Sequence, residues 1–129
     1  MGRIQKAINA LVAQQHAAKD YGFTWDDICQ LVHHVRSECD EVEEALKSGH
    51  KAEIVDEIGD LVRGAITLCY IADLDVAELL EKGNYKFQKR FDIVKSLVEK
   101  EGLANLRQAP YGKKLAYWTK AKKHLAQAP

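Results

Sequence analysis

The chain has 129 residues, with Lys+Arg and Asp+Glu both at 19. That length suits one domain spanning 1–129 with a real core, not a catalytic domain plus a second module, and the zero net charge gives no reason to expect nucleic-acid or anionic-membrane binding. No stretch approaches the roughly 18–20 apolar residues of a membrane span, and Met1-Gly2-Arg3-Ile4-Gln5-Lys6 lacks the apolar run of a signal peptide. Cys29, Cys39 and Cys69 are odd in number, have no C-x-x-C spacing and fall among apolar helical positions. They predict buried free thiols and a reducing, cytoplasmic setting.

Apolar residues recur at three- and four-residue spacing almost throughout, which predicts an all-α protein. The first helix is expected from about Arg3 to Lys19, with Gly22 as its stop. Thr24 to Asp27 resembles a capping box opening a second helix, with Trp25 at its start. That helix carries Ile28, Leu31, Val32, Val35, Cys39, Val42 and Leu46 in a narrow apolar arc, bordered by His34, Glu38 and Glu41. After the Ser48-Gly49-His50 break, a third helix from about Lys51 to Ala72 is expected to bury Ile54, Val55, Ile58, Leu61, Val62, Ala65, Ile66 and Cys69. Apolar residues on two of its sides predict several neighbours, and hence a homodimer or homotetramer built on the central helices. Asp75-Val76-Ala77-Glu78 opens a fourth helix reaching about Lys100. Asn105 to Gly112 reads as a loop, and Leu115, Trp118, Ala121 and Leu125 suggest a short last helix. The expected architecture is an antiparallel bundle of four main helices plus that short one.

Four carboxylates stand out. Glu38 and Glu41 lie on one side of Gly49, Glu57 and Asp60 on the other, and the two i, i+3 pairs are symmetric about that glycine. If the two helices fold back on each other, the pairs meet at equal height, roughly 12 and 16 Å from the turn at about 1.5 Å per residue. Crowded carboxylates repel unless a cation joins them. Taken singly, Glu-x-x-Glu usually marks a solvated face; the mirrored pair makes accident a poor explanation. An oxygen-only donor set favours Mg²⁺ or Mn²⁺ over zinc. Di-iron bundles use Glu-x-x-His pairs, and the positions three residues after Glu38 and Glu57 are Glu41 and Asp60.

Charge is also segregated. Between Glu38 and Asp60 nine acids face two lysines, whereas between Lys82 and His124 twelve Lys/Arg face three acids. Lys82, Lys86 and Arg90 recur at four-residue spacing on helix four, and metal plus Lys/Arg is what a triphosphate requires. Asn84 is a candidate for sugar or base contact, or a polar cap within the bundle. Trp25 suits base stacking or a plain helix anchor. His33 and His34 read as surface residues or as support for Glu38. No phosphate-binding Gly-rich loop, Gly-x-Ser-x-Gly or His-Glu-x-x-His motif is present.

Glu38-Cys39-Asp40-Glu41, then Glu57-Ile58-Gly59-Asp60-Leu61, then Asn84-Tyr85-Lys86-Phe87 with Arg90-Phe91, resemble the MazG-type all-α nucleoside triphosphate pyrophosphohydrolases. Tyr21 to Asp26 and Trp118 to Lys122 are also similar to that group, and the resemblance is strong over about 21–90 within a core of about 21–100. It implies that Glu38, Glu41, Glu57 and Asp60 bind Mg²⁺ and serve catalysis, that Lys86 and Arg90 contact phosphates, and that Asn84 sits toward the nucleoside. The implied reaction is water attack at the α-phosphorus, giving a monophosphate and pyrophosphate. A non-catalytic helical nucleotide-binding or assembly module is the competing expectation, and a carboxylate di-iron oxidase a third.

Overall fold

The computed structural model describes residues 1–127; Pro129 lies outside them. It contains five helices, α1 (Arg3–Tyr21), α2 (Ile28–Ser48), α3 (Lys51–Ile71), α4 (Val76–Lys100) and α5 (Tyr111–Gln127), and no strand among the described residues. The all-α expectation holds. The chain divides into two compact units, Met1–Val76 and the remainder from Ala77.

In the first unit, α2 and α3 form a hairpin joined through Gly49 and His50. Gly49 takes φ 76°, the left-handed conformation that closes a helix at little steric cost, and its N–H donates to the Ala45 carbonyl. α1 packs on α3. Its side chains reach that helix through the Arg63 Nη2–Gln14 Oε1 hydrogen bond of 2.8 Å and the Tyr70 hydroxyl, 3.0 Å from His16 Nδ1.

α2 begins three residues after Trp25, because the Asp27 side chain accepts from the Cys29 N–H at 2.9 Å and so caps the helix itself. The expected opening at Thr24 and Trp25 is therefore a loop. The buried positions of α2 are Leu31, Glu38 and Ala45, spaced by seven, while Ile28, Cys39 and Leu46 are exposed. The packed face keeps Leu31 and, half-buried, Val32, Val35 and Val42 of the apolar arc but is rotated toward Glu38, which is only 5% exposed. Cys29 is exposed too and Cys69 half-buried; the three thiols are free but not sealed in a core.

α3 departs in a similar way. Gly64 and Thr67 are buried against its neighbours, whereas Val55, Ile58, Val62 and Ala65 stay exposed, with Val55 at 63%. α1 and α2 cover one side of the helix and leave this one open.

In the second unit, Tyr117 and Ala121 of α5 and Val98 of α4 are buried. Phe87 packs on Trp118 with ring centroids 5.5 Å apart, and the Tyr117 hydroxyl donates to Glu101. α5 is 17 residues long rather than short. Pro110 does not extend the loop: its carbonyl accepts from Lys113 and Lys114 N–H, so the helix starts directly behind it.

Candidate active site

The α2–α3 hairpin sets its carboxylates facing each other. Glu41 and Glu57 are equally far from Gly49, and their side chains come close enough to interact directly. That interaction pushes the Glu57 carboxyl up, followed by burial and by the negative charges of Glu41, Asp60 and Asp56. Glu38 is pushed up chiefly by burial, with Asp60 and Glu41 adding to it and His34 and Arg63 opposing. The four acids singled out in the sequence are thus one electrostatic cluster. Asp56 joins them: oxygens of Asp56, Glu57 and Asp60 lie within 4.8 Å of one another.

Two atoms in this cluster are unsatisfied. Glu38 Oε2 and Glu57 Oε2 are both buried without a hydrogen-bond partner. Each sits on a different arm of the hairpin. Buried carboxylate oxygens normally find donors, so the pair marks a place where something cationic is missing from the protein's own inventory. Oxygen-only donors at such spacing suit a hard divalent cation.

Gly64 makes the approach feasible. A Cβ at that position would lie 3.1 Å from Val35 Cγ2 and 3.2 Å from Glu38 Oε2, so any larger residue would press both side chains out of their present seats by a few tenths of an ångström. On its other oxygen, Glu38 Oε1 is 2.5 Å from His34 Nε2. The His34 ring in turn stacks at 5.3 Å on Trp25. This gives His34 a supporting contact to the acid cluster, whereas His33 is simply exposed.

A cavity of about 650 Å³ opens over the cluster. Glu38, Glu41 and Asp60 form its acidic wall, and Phe23, Trp25 and Gln14 belong to the wall contributed by α1 and the α1–α2 loop. That volume is within the range of small-molecule sites. Trp25, half-buried in the loop rather than on α2, therefore borders the same space as the acids.

Lys86, Arg90 and Asn84 lie on α4, in the second unit. Within that unit the Arg90 guanidinium lies 5.5 Å from the Trp118 ring centroid, and its Nε is buried without a partner. Lys86, with Lys82, Tyr85 and Lys89, lines a separate groove, and Asn84 is exposed. Arg63 and Gln14 carry no signal in the sequence. Gly64 falls on the same stripe of α3 as Glu57 and Asp60, and Asp56 lies one turn before Asp60, but spacing gives neither a role.

A family model described as the MazG nucleotide pyrophosphohydrolase domain matches residues 26–94, which contain the whole hairpin and most of α4. The chain belongs to this family. Among its relatives, the nucleoside triphosphate pyrophosphohydrolase/pyrophosphatase MazG of Thermotoga maritima is 33% identical over 108 residues, covering 84% of this chain and 41% of the relative. The nucleoside triphosphate pyrophosphohydrolase of Escherichia coli K12 is 30% identical over 105 residues, covering 78% and 40%. The chain thus spans about two fifths of the length of these MazG relatives.

Proposed function

We propose that this MazG-family chain is a Mg²⁺-dependent nucleoside triphosphate pyrophosphohydrolase, with Mn²⁺ as an alternative ion, converting an NTP or dNTP to the monophosphate and pyrophosphate. The observation that carries the reading is the pair of buried, unpartnered carboxylate oxygens on Glu38 and Glu57, in an acid cluster whose Glu38, Glu41 and Asp60 line a cavity of about 650 Å³. The names of the relatives supply the reaction class.

Glu38, Glu41, Glu57 and Asp60 would hold the metal, with Asp56 beside them. When bound, such an ion neutralises charge on phosphoryl oxygens and lowers the pKa of water. The protein's own groups do the rest. A carboxylate not fully committed to the cation accepts the proton of the attacking water, and its burial makes it a better base than a solvated glutamate. The 2.5 Å contact from His34 keeps Glu38 in one orientation. Trp25 stacks on the base. Within the second unit, Lys86 and Arg90 offer cations suited to phosphate oxygens and Asn84 a polar group suited to a nucleoside, the roles that the family resemblance implies for them. Trp118 holds the Arg90 guanidinium by a cation–π contact.

We also take the molecule to be a cytoplasmic homodimer or homotetramer acting as a single domain, with neither nucleic acid nor membrane as partner. No helix among the described residues is long and apolar enough to cross a membrane. Val55, Ile58 and Val62 line up on the open side of α3, and full burial of such side chains stabilises by about 1.5–3 kcal/mol each, enough for a second copy to gain by covering them.

The deciding experiment incubates the protein with Mg²⁺ and a panel of ribo- and deoxyribonucleoside triphosphates and measures monophosphate and pyrophosphate. Release of both supports the reading. No release from any substrate favours a non-catalytic binding module.

A further inference from the structure

We propose that Arg63 and Gln14 form a base-reading pair that selects guanine and cytosine nucleotides, an inference that deepens the pyrophosphohydrolase reading and rests on it. Both residues line the cavity above the acids. Arg63 stands one turn beyond Asp60 on α3, and Gln14 faces it from α1. They are joined by a 2.8 Å hydrogen bond in which Arg63 Nη2 donates to Gln14 Oε1.

The direction of that bond fixes what the pair offers. An amide has one acceptor end and one donor end, and the guanidinium has donors only. With Gln14 Oε1 taken by Arg63, the amide NH₂ and the remaining guanidinium N–H groups present a surface of donors. Such a surface matches a base edge carrying two adjacent acceptors. Guanine offers N7 and O6, and cytosine offers N3 and O2, whereas adenine and thymine or uracil place a donor beside each acceptor on the corresponding edges.

Arg63 is available for this task because the acids do not engage it. Among the described residues it forms no ion pair with a carboxylate, and its effect on Glu38 is the weakest of the charges that act there. Its hydrogen bond is to Gln14 of α1, and both residues line the same cavity as Phe23 and Trp25. A base stacked on Trp25 then presents its edge within the cavity that the pair lines. Phosphate contacts position a nucleotide without distinguishing bases, so a donor pair at this wall is what discriminates.

Gln14→Glu is the informative variant, because a carboxylate keeps the bond to Arg63 and replaces the donating NH₂ by an acceptor. Two readouts are needed: kcat/KM for the guanine, cytosine, adenine and thymine deoxyribonucleotides with Mg²⁺, and binding of their non-hydrolysable α,β-imido analogues by calorimetry. The wild type is expected to favour guanine and cytosine, and Gln14→Glu to shrink that preference by about tenfold or more while its best substrate still turns over. Equal weakening for all four bases, as loss of a phosphate ligand gives, overturns the inference. So does a preference that Gln14→Glu leaves unchanged, or a wild type that binds all four analogues alike. Selective analogue binding without pyrophosphate release supports base reading and instead overturns the proposed reaction.

Discussion

Gly64 lies opposite Glu38 across the α2–α3 hairpin, and a methyl group added to it would come within 3.2 Å of the Glu38 carboxylate. Val35 closes the other side at 3.1 Å, so the methyl enters only if both side chains, the Glu38 carboxylate included, give by a few tenths of an ångström. Gly64→Ala gains up to about 1 kcal/mol in helix propensity and loses about 1–3 kcal/mol by overpacking. We expect a small fall in melting temperature, unchanged helix content by circular dichroism and a drop in kcat/KM of about tenfold or more, since the displaced group is the buried acid.

Glu38→Gln separates function from stability. Removing a buried charge with an orphaned oxygen should raise the metal-free protein's stability at neutral pH by about 1 kcal/mol. Pyrophosphate release should fall by about a thousandfold, and Asp60→Asn should do likewise with helix content intact. Wild-type-like turnover in either variant would refute their assignment.

Metal should act on the folded state directly. Mg²⁺ or Mn²⁺ at about a hundredfold over its dissociation constant stabilises by about 2.7 kcal/mol, visible as a raised melting temperature that a chelator reverses. Glu57→Gln should abolish most of that shift. A shift that survives in this variant would place the cation elsewhere.

The metal-free protein should also lose stability as pH rises. Glu38 and Glu57 both have raised folded-state pKa values, so the native state holds more protons than the unfolded chain in the window above the ordinary glutamate value. Stability from these groups is therefore present at mildly acidic pH and declines toward neutrality. Denaturant midpoints from pH 5 to 8 should show this slope without divalent cations and a weaker or reversed one with them, because the ion binds the deprotonated carboxylates. A flat profile for the metal-free Glu38→Gln/Glu57→Gln double variant completes the check.

Lys86→Ala should mainly weaken triphosphate binding, raising KM several-fold with kcat largely kept, as loss of one charge-assisted contact to the ground state gives. Unchanged KM and kcat would remove Lys86 from the substrate's surroundings.

The helices and the meeting of the acids were legible because both follow from spacing: 3.6-residue periodicity gives the elements, and equal distance from Gly49 brings Glu41 onto Glu57. What spacing could not give is the side of α2 that packs. Counting apolar residues centres the buried face near Cys39, but Glu38 takes that place because Gly64 leaves it room. The opening of α2 is ambiguous in the sequence because Thr24 and Asp27 are both cap formers, and only the Asp27 bond to Cys29 N–H decides between them. Arg63 and Gln14 are far apart in sequence and meet only once α1 docks on α3. The exposed side of α3 was not legible because its residues are apolar on both sides, and spacing alone does not say which side α1 and α2 cover.

The two-residue joint between α2 and α3 also restricts how related chains can change length. One residue inserted between His50 and Glu57 would rotate everything beyond it by about 100° and carry Glu57 and Asp60 off the facing surface. Lengthening one arm by whole turns would preserve direction but lift one pair above the other. Only matched additions to both arms keep the acids level, so insertions in such hairpins should come in coordinated pairs of turns or fall outside the stretch from Glu38 to Asp60.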